Sequence, residues 1–184
     1  MPLKFVLDTN TCIFAIKNKP DAVQQAFNRR QGQLCISAIT AMELAYGAEK
    51  SAAPTRNHAV VDGFLKRLEV LDYDHDAAAD SGQLRAELAR AGTPIGPYDA
   101  MIAGHTRSRG LVLVTNNTRE FSRVPGLRLD AETLSLGVRR PAVVPLSYRC
   151  AVLSATLVTP NQWKKAPGRK AAGATALTRS QSIL

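Results

Sequence analysis

Residues 4–10, with the sequence KFVLDTN, decide the fold class, because a short apolar run ends there at a carboxylate followed by two small polar residues. A run this short, rich in Phe, Val and Leu, predicts a buried β-strand. In open α/β sheets the ligand crevice lies beyond the carboxyl ends of the strands. We therefore expect Asp8 at the mouth of such a crevice. Alternatively, Asp8 is only a helix cap or a turn former, and Thr9 and Asn10 can also cap the helix that follows.

The chain up to about residue 130 alternates short apolar runs with longer segments of helical periodicity. The apolar runs predict strands at 34–36, 70–71, 111–114 and 127–129. The longer segments predict helices at 20–30, 39–50, 77–91 and 98–108, and another that begins at Pro54. Before and within the helix at 39–50, Ser37 is a candidate N-cap, and Thr40 and Glu43 have capping-box spacing. Strands that alternate with helices predict an α/β fold, a central parallel sheet of about four to five strands flanked by helices.

The charge is unevenly distributed along the 184 residues. Residues 137–184 hold 8 of the 24 Lys and Arg and none of the 15 Asp and Glu, so the net charge of +9 falls to +1 for the first 136 residues. Pro, Ala, Gly and Thr are frequent in the same segment, and the alternation of predicted elements fades there. The sequence therefore predicts a folded domain at 1–135 and a basic extension of disordered composition at 136–184.

Composition and patterning exclude several classes of protein. No apolar run approaches the ~20 residues of a membrane span, so we expect no membrane partner. The first residues lead directly into a strand and lack the cleavage site of a signal peptide, so we expect a cytoplasmic location. Cys12, Cys35 and Cys150 are odd in number and widely spaced, which is not typical of a disulfide framework or a zinc site. The histidines share no motif, and we expect surface or core roles for them.

Three carboxylates occupy similar places in the predicted fold. Asp8 ends the first strand, Glu43 lies in the first turns of the helix after the second strand, and Asp99 lies in the first turn of the helix at 98–108. Acids gathered at one edge of a sheet repel one another unless a cation neutralises them, and Mg²⁺ and Mn²⁺ prefer oxygen ligands. The alternative is that Glu43 and Asp99 only complement helix dipoles.

Four motifs follow one another along the chain: LDTN at 7–10, MEL at 42–44 with YG at 46–47, GPYDAMIA at 96–103, and VTNN at 114–117 with EF at 120–121. In this order and at these separations they resemble the PIN domain and, more narrowly, the VapC toxins of VapBC toxin–antitoxin pairs. The resemblance extends from the start of the chain to about Asp130.

This resemblance implies a Mg²⁺-dependent endoribonuclease, with Mn²⁺ able to replace Mg²⁺. It also implies a homodimeric toxin with a VapB-type antitoxin as its protein partner. The VapC toxins that this chain resembles cleave initiator tRNA in the anticodon loop and so inhibit translation. RNA, and tRNA in particular, is therefore the substrate that we expect.

The resemblance also implies roles for particular residues. Asp8 and Asp99 would hold the metal, and Glu43 would complete its shell through a water or orient the attacking water. Many PIN domains have an Asp at the position of Asn117; here either Glu120 supplies that charge or the site has one acid fewer. The candidate catalytic residues are therefore Asp8, Glu43, Asp99 and Glu120. The polar residues that would hold these carboxylates, or else serve as caps, are Thr9, Asn10, Thr115, Asn116 and Asn117.

Two other functions fit parts of the sequence. One is a catalytically weak PIN-like module that binds RNA or a protein without cutting, with affinity supplied by the basic extension. Clustered acids argue against it, because they repel a polyanion. The other is a phosphohydrolase with Asp8 as nucleophile, which the sequence favours less because the second acid usual for that class would stand at Asn10.

Overall fold

The computed structural model describes residues 2–18, 25 and 27–130. The extension predicted at 136–184 and the domain boundary before it lie outside the described residues, as does most of the helix predicted at 20–30. The strands are β1 (Phe5–Leu7), β2 (Leu34–Ser37), β3 (Glu69–Leu71), β4 (Val112–Val114) and β5 (Arg128–Asp130). The helices are α1 (Thr9–Asn18), α2 (Ala38–Glu49), α3 (Pro54–Leu65), α4 (His75–Arg90), α5 (Pro97–Ser108) and α6 (Thr118–Phe121).

The strands form one parallel five-stranded sheet with the order β3-β2-β1-β4-β5, which confirms the predicted fold class. Val6 of the central strand pairs with Cys35 of β2 on one side and with Leu113 of β4 on the other. The chain moves outward from β1 to β3 and then returns across the sheet to β4. The order of strands therefore reverses between β1 and β4, and α/β proteins bind ligands at the carboxyl edge of such a switch point.

Both faces of the sheet are buried, as is usual for parallel strands. Successive side chains of a strand point to opposite faces. Phe5 and Leu7 accordingly pack with residues of α1, α2 and α3, whereas Val6 packs with residues of α4 and α5 on the other face. These two apolar layers fix the helices around the sheet.

The helix starts agree in part with the predictions. Ser37 is the N-cap of α2, because its Oγ accepts the N–H of Ile39 at 3.1 Å. The α4 helix begins two residues before the predicted start at Ala77, because Asp74 is its N-cap and accepts the N–H of Ala77 at 3.0 Å. Pro54 begins α3 as expected.

Two predicted caps are wrong. Thr40 and Glu43 do not form a capping box, because Thr40 lies buried inside α2, after the cap at Ser37. Thr9 and Asn10 do not cap α1 either, because both already lie within that helix. The residue whose side chain caps α1 is Asp8.

A close approach of two helices sets the position of α5. A Cβ at Gly104 would lie 2.3 Å from the Ser81 Oγ and 2.6 Å from the Ser81 Cα on α4. Glycine is therefore required there for the helices to pack at this distance. None of the helices among the described residues is both long and apolar enough to cross a bilayer.

Candidate active site at the carboxyl edge of the sheet

Asp8 lies at the carboxyl end of the central strand, and only 2% of its surface is exposed. Its Oδ1 accepts the N–H of Thr11 at 2.6 Å, and its Oδ2 accepts the hydroxyl of Thr115 at 2.7 Å. Asp8 therefore caps α1 and also lies at the carboxyl edge of the sheet, beside the switch point. The two bonds fix the plane of the carboxylate, and hydrogen bonds to a charged acceptor are stronger than neutral ones.

Thr115 and Asn117 belong to the loop that follows β4, on the other side of the switch point. The N–H of Asn117 donates to the Thr115 Oγ1 at 2.9 Å, so the hydroxyl that holds Asp8 is itself held in place. The Asn117 side chain is buried, and its Oδ1 has no hydrogen-bond partner among the described residues. A buried acceptor without a partner is costly, by about 1–3 kcal/mol. A cation or a water bound at this loop would satisfy it.

Glu43 reaches the same region from α2. The hydroxyl of Thr9 donates to the Glu43 Oε2 at 2.5 Å. Because Thr9 follows Asp8 directly, this bond fixes Glu43 beside the first carboxylate. Cys12 lies buried near both acids: burial raises the pKa of its thiol, and the charges of Asp8 and Glu43 raise it further. Two of the predicted acids therefore act electrostatically on one point.

Asp99 lies in the first turn of α5 and is 6% exposed. Residues 109–111 join the end of α5 to the start of β4, so the helix runs antiparallel to that strand and begins at the carboxyl edge of the sheet. Gly96 precedes the helix, and a Cβ there would lie 3.0 Å from the Asp99 Oδ2. Glycine at 96 therefore leaves room for the carboxylate beside the loop.

Glu120 forms an ion pair with Arg123. Its Oε2 lies 3.5 Å from the Arg123 Nη1, which also donates to the carbonyl of Pro94 at 3.3 Å. The ion pair partly neutralises Glu120 and ties α6 to the loop before α5. Asn10 and Asn116 are half-buried, the first in α1 and the second in the loop after β4, between Thr115 and Asn117.

Within the described ranges, no group of three His, Cys, Asp or Glu side chains is arranged to hold a metal ion by itself. That excludes a closed site of zinc type in this part of the chain. Mg²⁺ and Mn²⁺ are commonly held by one or two carboxylates, while waters and substrate phosphates fill the other positions. The donors at this edge are oxygens, and the buried Asn117 Oδ1 is an acceptor without a partner in the described chain. The residues therefore fit a hard divalent cation that keeps some of its waters.

The sequence did not indicate several of the contacts that build the site. The N–H of Thr11 and the thiol of Cys12 carried no motif, and the room left by Gly96 depends on a carboxylate three residues away. The bond between the Thr115 hydroxyl and Asp8 joins residues 107 positions apart. It could be found only by knowing that the end of β1 lies beside the loop after β4.

A buried Ser–His pair also escaped sequence reasoning. The His105 Nδ1 lies 2.9 Å from the Ser37 Oγ, and the ring packs edge-on against Tyr73. Both residues are fully enclosed, and burial lowers the pKa of His105. This is a core contact rather than a nucleophile and its base, because no substrate could reach the hydroxyl. It agrees with the core role expected for the histidines.

Comparisons with known proteins identify the family to which this fold belongs. The family model of the PIN domain matches residues 5–127. The chain therefore belongs to the PIN-domain family, and its relatives below place it among the VapC nucleases of that family. This confirms the resemblance, the fold and the class of enzyme predicted from the sequence. Nucleases with this domain generally depend on a divalent metal ion.

The relatives are similar over almost their whole length. The chain is 68% identical over 128 residues to a tRNA(fMet)-specific endonuclease VapC from Salmonella typhimurium, which covers 70% of this chain and 97% of the relative. It is 66% identical, with the same coverage, to a protein of the same name from Shigella flexneri.

Two solved structures show the same fold. One is DNA-bound VapBC from Salmonella typhimurium, with a TM-score of 0.68 at 68% identity over 70% of this chain and 97% of that one. The other is VapBC2 from Rickettsia felis bound to a DNA fragment from their promoter, with a TM-score of 0.66 at 37% identity over 71% of this chain and 98% of that one.

Proposed function

We propose that this chain is a Mg²⁺-dependent endoribonuclease that cleaves initiator tRNA in the anticodon loop, and that it is the toxin of a VapBC-type pair. The observation that carries the proposal is the buried Asp8 carboxylate at the switch point, with one oxygen held by Thr11 and the other by Thr115. A carboxylate oriented in this way at the ligand-binding edge of the sheet is suited to hold a cation against a phosphate.

Asp8 and Asp99 would hold the metal. The Asn117 Oδ1 is a further oxygen donor, in the loop after β4 whose Thr115 holds Asp8. When bound there, Mg²⁺ would supply a more acidic water as the nucleophile and positive charge opposite the phosphoryl oxygens. Mn²⁺ has the same preference for hard oxygen ligands. The chain supplies the orientation of these donors, and we expect it to be fixed by the threonine hydroxyls before RNA binds.

Glu43 is the residue that would position the attacking water or accept its proton. The hydroxyl of Thr9 holds one of its oxygens at 2.5 Å, which aims the carboxylate beside Asp8. Glu120 would supply the fourth acidic charge in place of an Asp at position 117. Its ion pair with Arg123 partly neutralises that charge.

The substrate and partners follow from the relatives and from the chemistry of the site. The relatives from Salmonella and Shigella are named for initiator tRNA, and the solved relatives are complexes of VapB with VapC. Loop RNA exposes splayed bases and flexible phosphates, which suit a site that needs metal between its acids and the backbone. We therefore expect cleavage in a loop, a homodimeric toxin, a VapB-type antitoxin that binds it, and action in the cytoplasm.

The experiment incubates the full chain with total RNA and Mg²⁺ and maps the new 5′ ends by sequencing, with an EDTA control. Ends clustered in the anticodon loop of initiator tRNA would support the proposal. Uniform degradation of all RNA would contradict the tRNA claim while leaving a nuclease. RNA that is bound but uncut by folded protein would contradict the nuclease and favour the binding module instead.

A further inference from the structure

Two neighbouring residues at the start of α5 are exposed to very different degrees. Tyr98 is 40% exposed, whereas Asp99 beside it is 6% exposed. Pro97 occupies the first turn of the helix and Gly96 precedes it, so the backbone of this turn is restrained. The turn therefore buries a carboxylate that we propose as a metal ligand and leaves an aromatic ring exposed directly beside it in the chain.

The tyrosines elsewhere in the described chain already have partners. Tyr46 is 53% exposed, but Lys50 donates to its hydroxyl at 3.4 Å and lies 5.6 Å above its ring. Tyr73 packs against His105. Within residues 2–18 and 27–130, no hydrogen bond or ring contact involves the Tyr98 side chain.

A large exposed ring beside an acid site has a specific use in an RNA nuclease. Aromatic rings stack on bases that are splayed out of single-stranded loops, and stacking tolerates any base because each base has a π-face. Stacking would also hold the backbone of the adjacent nucleotide at a fixed distance from the carboxylates. A base inside a duplex is already stacked on its neighbours and cannot take this place.

We propose that Tyr98 is a positioning residue that stacks on one nucleobase of the loop RNA next to the scissile phosphate. This inference rests on the proposed ribonuclease function. In this proposal the Tyr98 ring, together with the metal and the acids, makes the enzyme prefer single-stranded RNA. The hydroxyl is not required, because the contact is made by the face of the ring.

The test compares Tyr98→Leu and Tyr98→Phe in the full chain on an anticodon stem–loop RNA. Stacking is worth a factor of roughly 5 to 150 per base. We therefore expect kcat/KM to fall by a factor in that range in Tyr98→Leu, and to stay near that of the unmodified chain in Tyr98→Phe. Loss in both variants alike, or in neither, would overturn the proposal.

A scan of abasic sites along the loop identifies the stacked base. An abasic site at that position should lower the kcat/KM of the unmodified chain about as much as the Tyr98→Leu substitution lowers it on intact RNA. The same abasic RNA should not lower the kcat/KM of Tyr98→Leu any further. Additive losses at every position would contradict stacking. Because each comparison requires cleavage by the unmodified chain, failure of that chain to cut RNA would refute the proposed function itself, whereas normal cutting by Tyr98→Leu would refute only this inference.

Two controls separate stacking from a general loss of surface. Tyr46→Leu removes an exposed ring that Lys50 already covers, and we expect it to cleave the stem–loop normally. In Asp8→Asn protein, which we expect to bind RNA but to cut it far more slowly, 2-aminopurine at the identified position should change its fluorescence on binding. Adding Tyr98→Leu to that protein should abolish the change. Equal losses in Tyr46→Leu and Tyr98→Leu, or an unchanged signal, would overturn the proposal and favour a surface that contacts a protein partner.

Discussion

Asp8 and Asp74 make the same local contact in two regions of the molecule. Each follows a strand of the sheet and begins a helix, and each accepts a backbone N–H three residues ahead, at 2.6 Å for Asp8 and 3.0 Å for Asp74. Asp8 is 2% exposed, whereas the Asp74 side chain is 40% exposed and pairs with Arg109 at 2.6 Å.

The difference lies in which strand precedes each residue. Asp8 follows the central strand, so its second oxygen meets the hydroxyl of Thr115 across the switch point. Asp74 follows β3 at the edge of the sheet, where solvent and the guanidinium of Arg109 meet its charge. An aspartate that caps a helix is thus a structural feature at the edge and a candidate metal ligand at the centre. The local motif is the same, and the topology determines the role.

Among variants that keep every carboxylate of the site, the largest effect should come from removing the hydroxyls that orient the acids. In Thr115→Val and Thr9→Val, each carboxylate keeps its charge but loses a donor, so cleavage should fall by a factor of about 10–100. Arg109→Gln removes the matching donor of Asp74 and should leave cleavage unchanged. Rates on the stem–loop RNA, with circular dichroism to verify folding, measure this. An equal loss of cleavage rate in Arg109→Gln and in the threonine variants would contradict a specific role for the hydroxyls around Asp8.

A smaller effect should appear in the response of stability to metal. Mg²⁺ at ten times its dissociation constant should stabilise the folded chain by about 1.4 kcal/mol through linkage. The melting temperature should rise by about 2–4 °C for each kcal/mol. Asp74→Asn should show the same rise and Asp8→Asn none. A rise in Asp8→Asn equal to that of the unmodified chain would show that the metal binds elsewhere.

The smallest effect concerns the stability of the folded chain at acidic pH. The N–H of Ala77 and, to a lesser degree, the charge of Arg109 lower the pKa of Asp74. A carboxyl whose pKa is lower in the folded chain stabilises it above the unfolded pKa, and that stability is lost as the pH falls through the folded value. Asp74→Asn should therefore show a slightly weaker decline of the melting temperature between about pH 5 and pH 2. A steeper decline in Asp74→Asn would contradict the assigned direction.

Much of the fold could be predicted because its signals are local. The strand before Asp8 is a short apolar run, Ser37 and Pro54 begin helices, and strands alternate with helices along the chain. The predicted start of α4 at Ala77 is two residues too late, because Asp74 is the N-cap and the helix begins at His75.

For the candidate site, the sequence named residues to consider but not the contacts that hold them. Motif order pointed to Asp8, Glu43 and Asp99, but the spacing of Thr40 and Glu43 suggested a capping box that does not form. In the folded chain Glu43 accepts instead from Thr9, 34 positions away. Such a bond depends on how α2 packs against α1, and local sequence does not encode that distance.

The most direct test of the account measures Mg²⁺-dependent cleavage of initiator tRNA by the unmodified chain, Asp8→Asn and Asp74→Asn. Asparagine can keep the bond to Thr11 and is as good an N-cap as aspartate, so both variants should fold. We expect Asp8→Asn to lose at least ~100-fold in rate, because a catalytic metal supplies several kcal/mol. Asp74→Asn should cleave like the unmodified chain. Full cleavage by Asp8→Asn, or by any of the three proteins in EDTA, would contradict the claim that the central aspartate holds a catalytic metal.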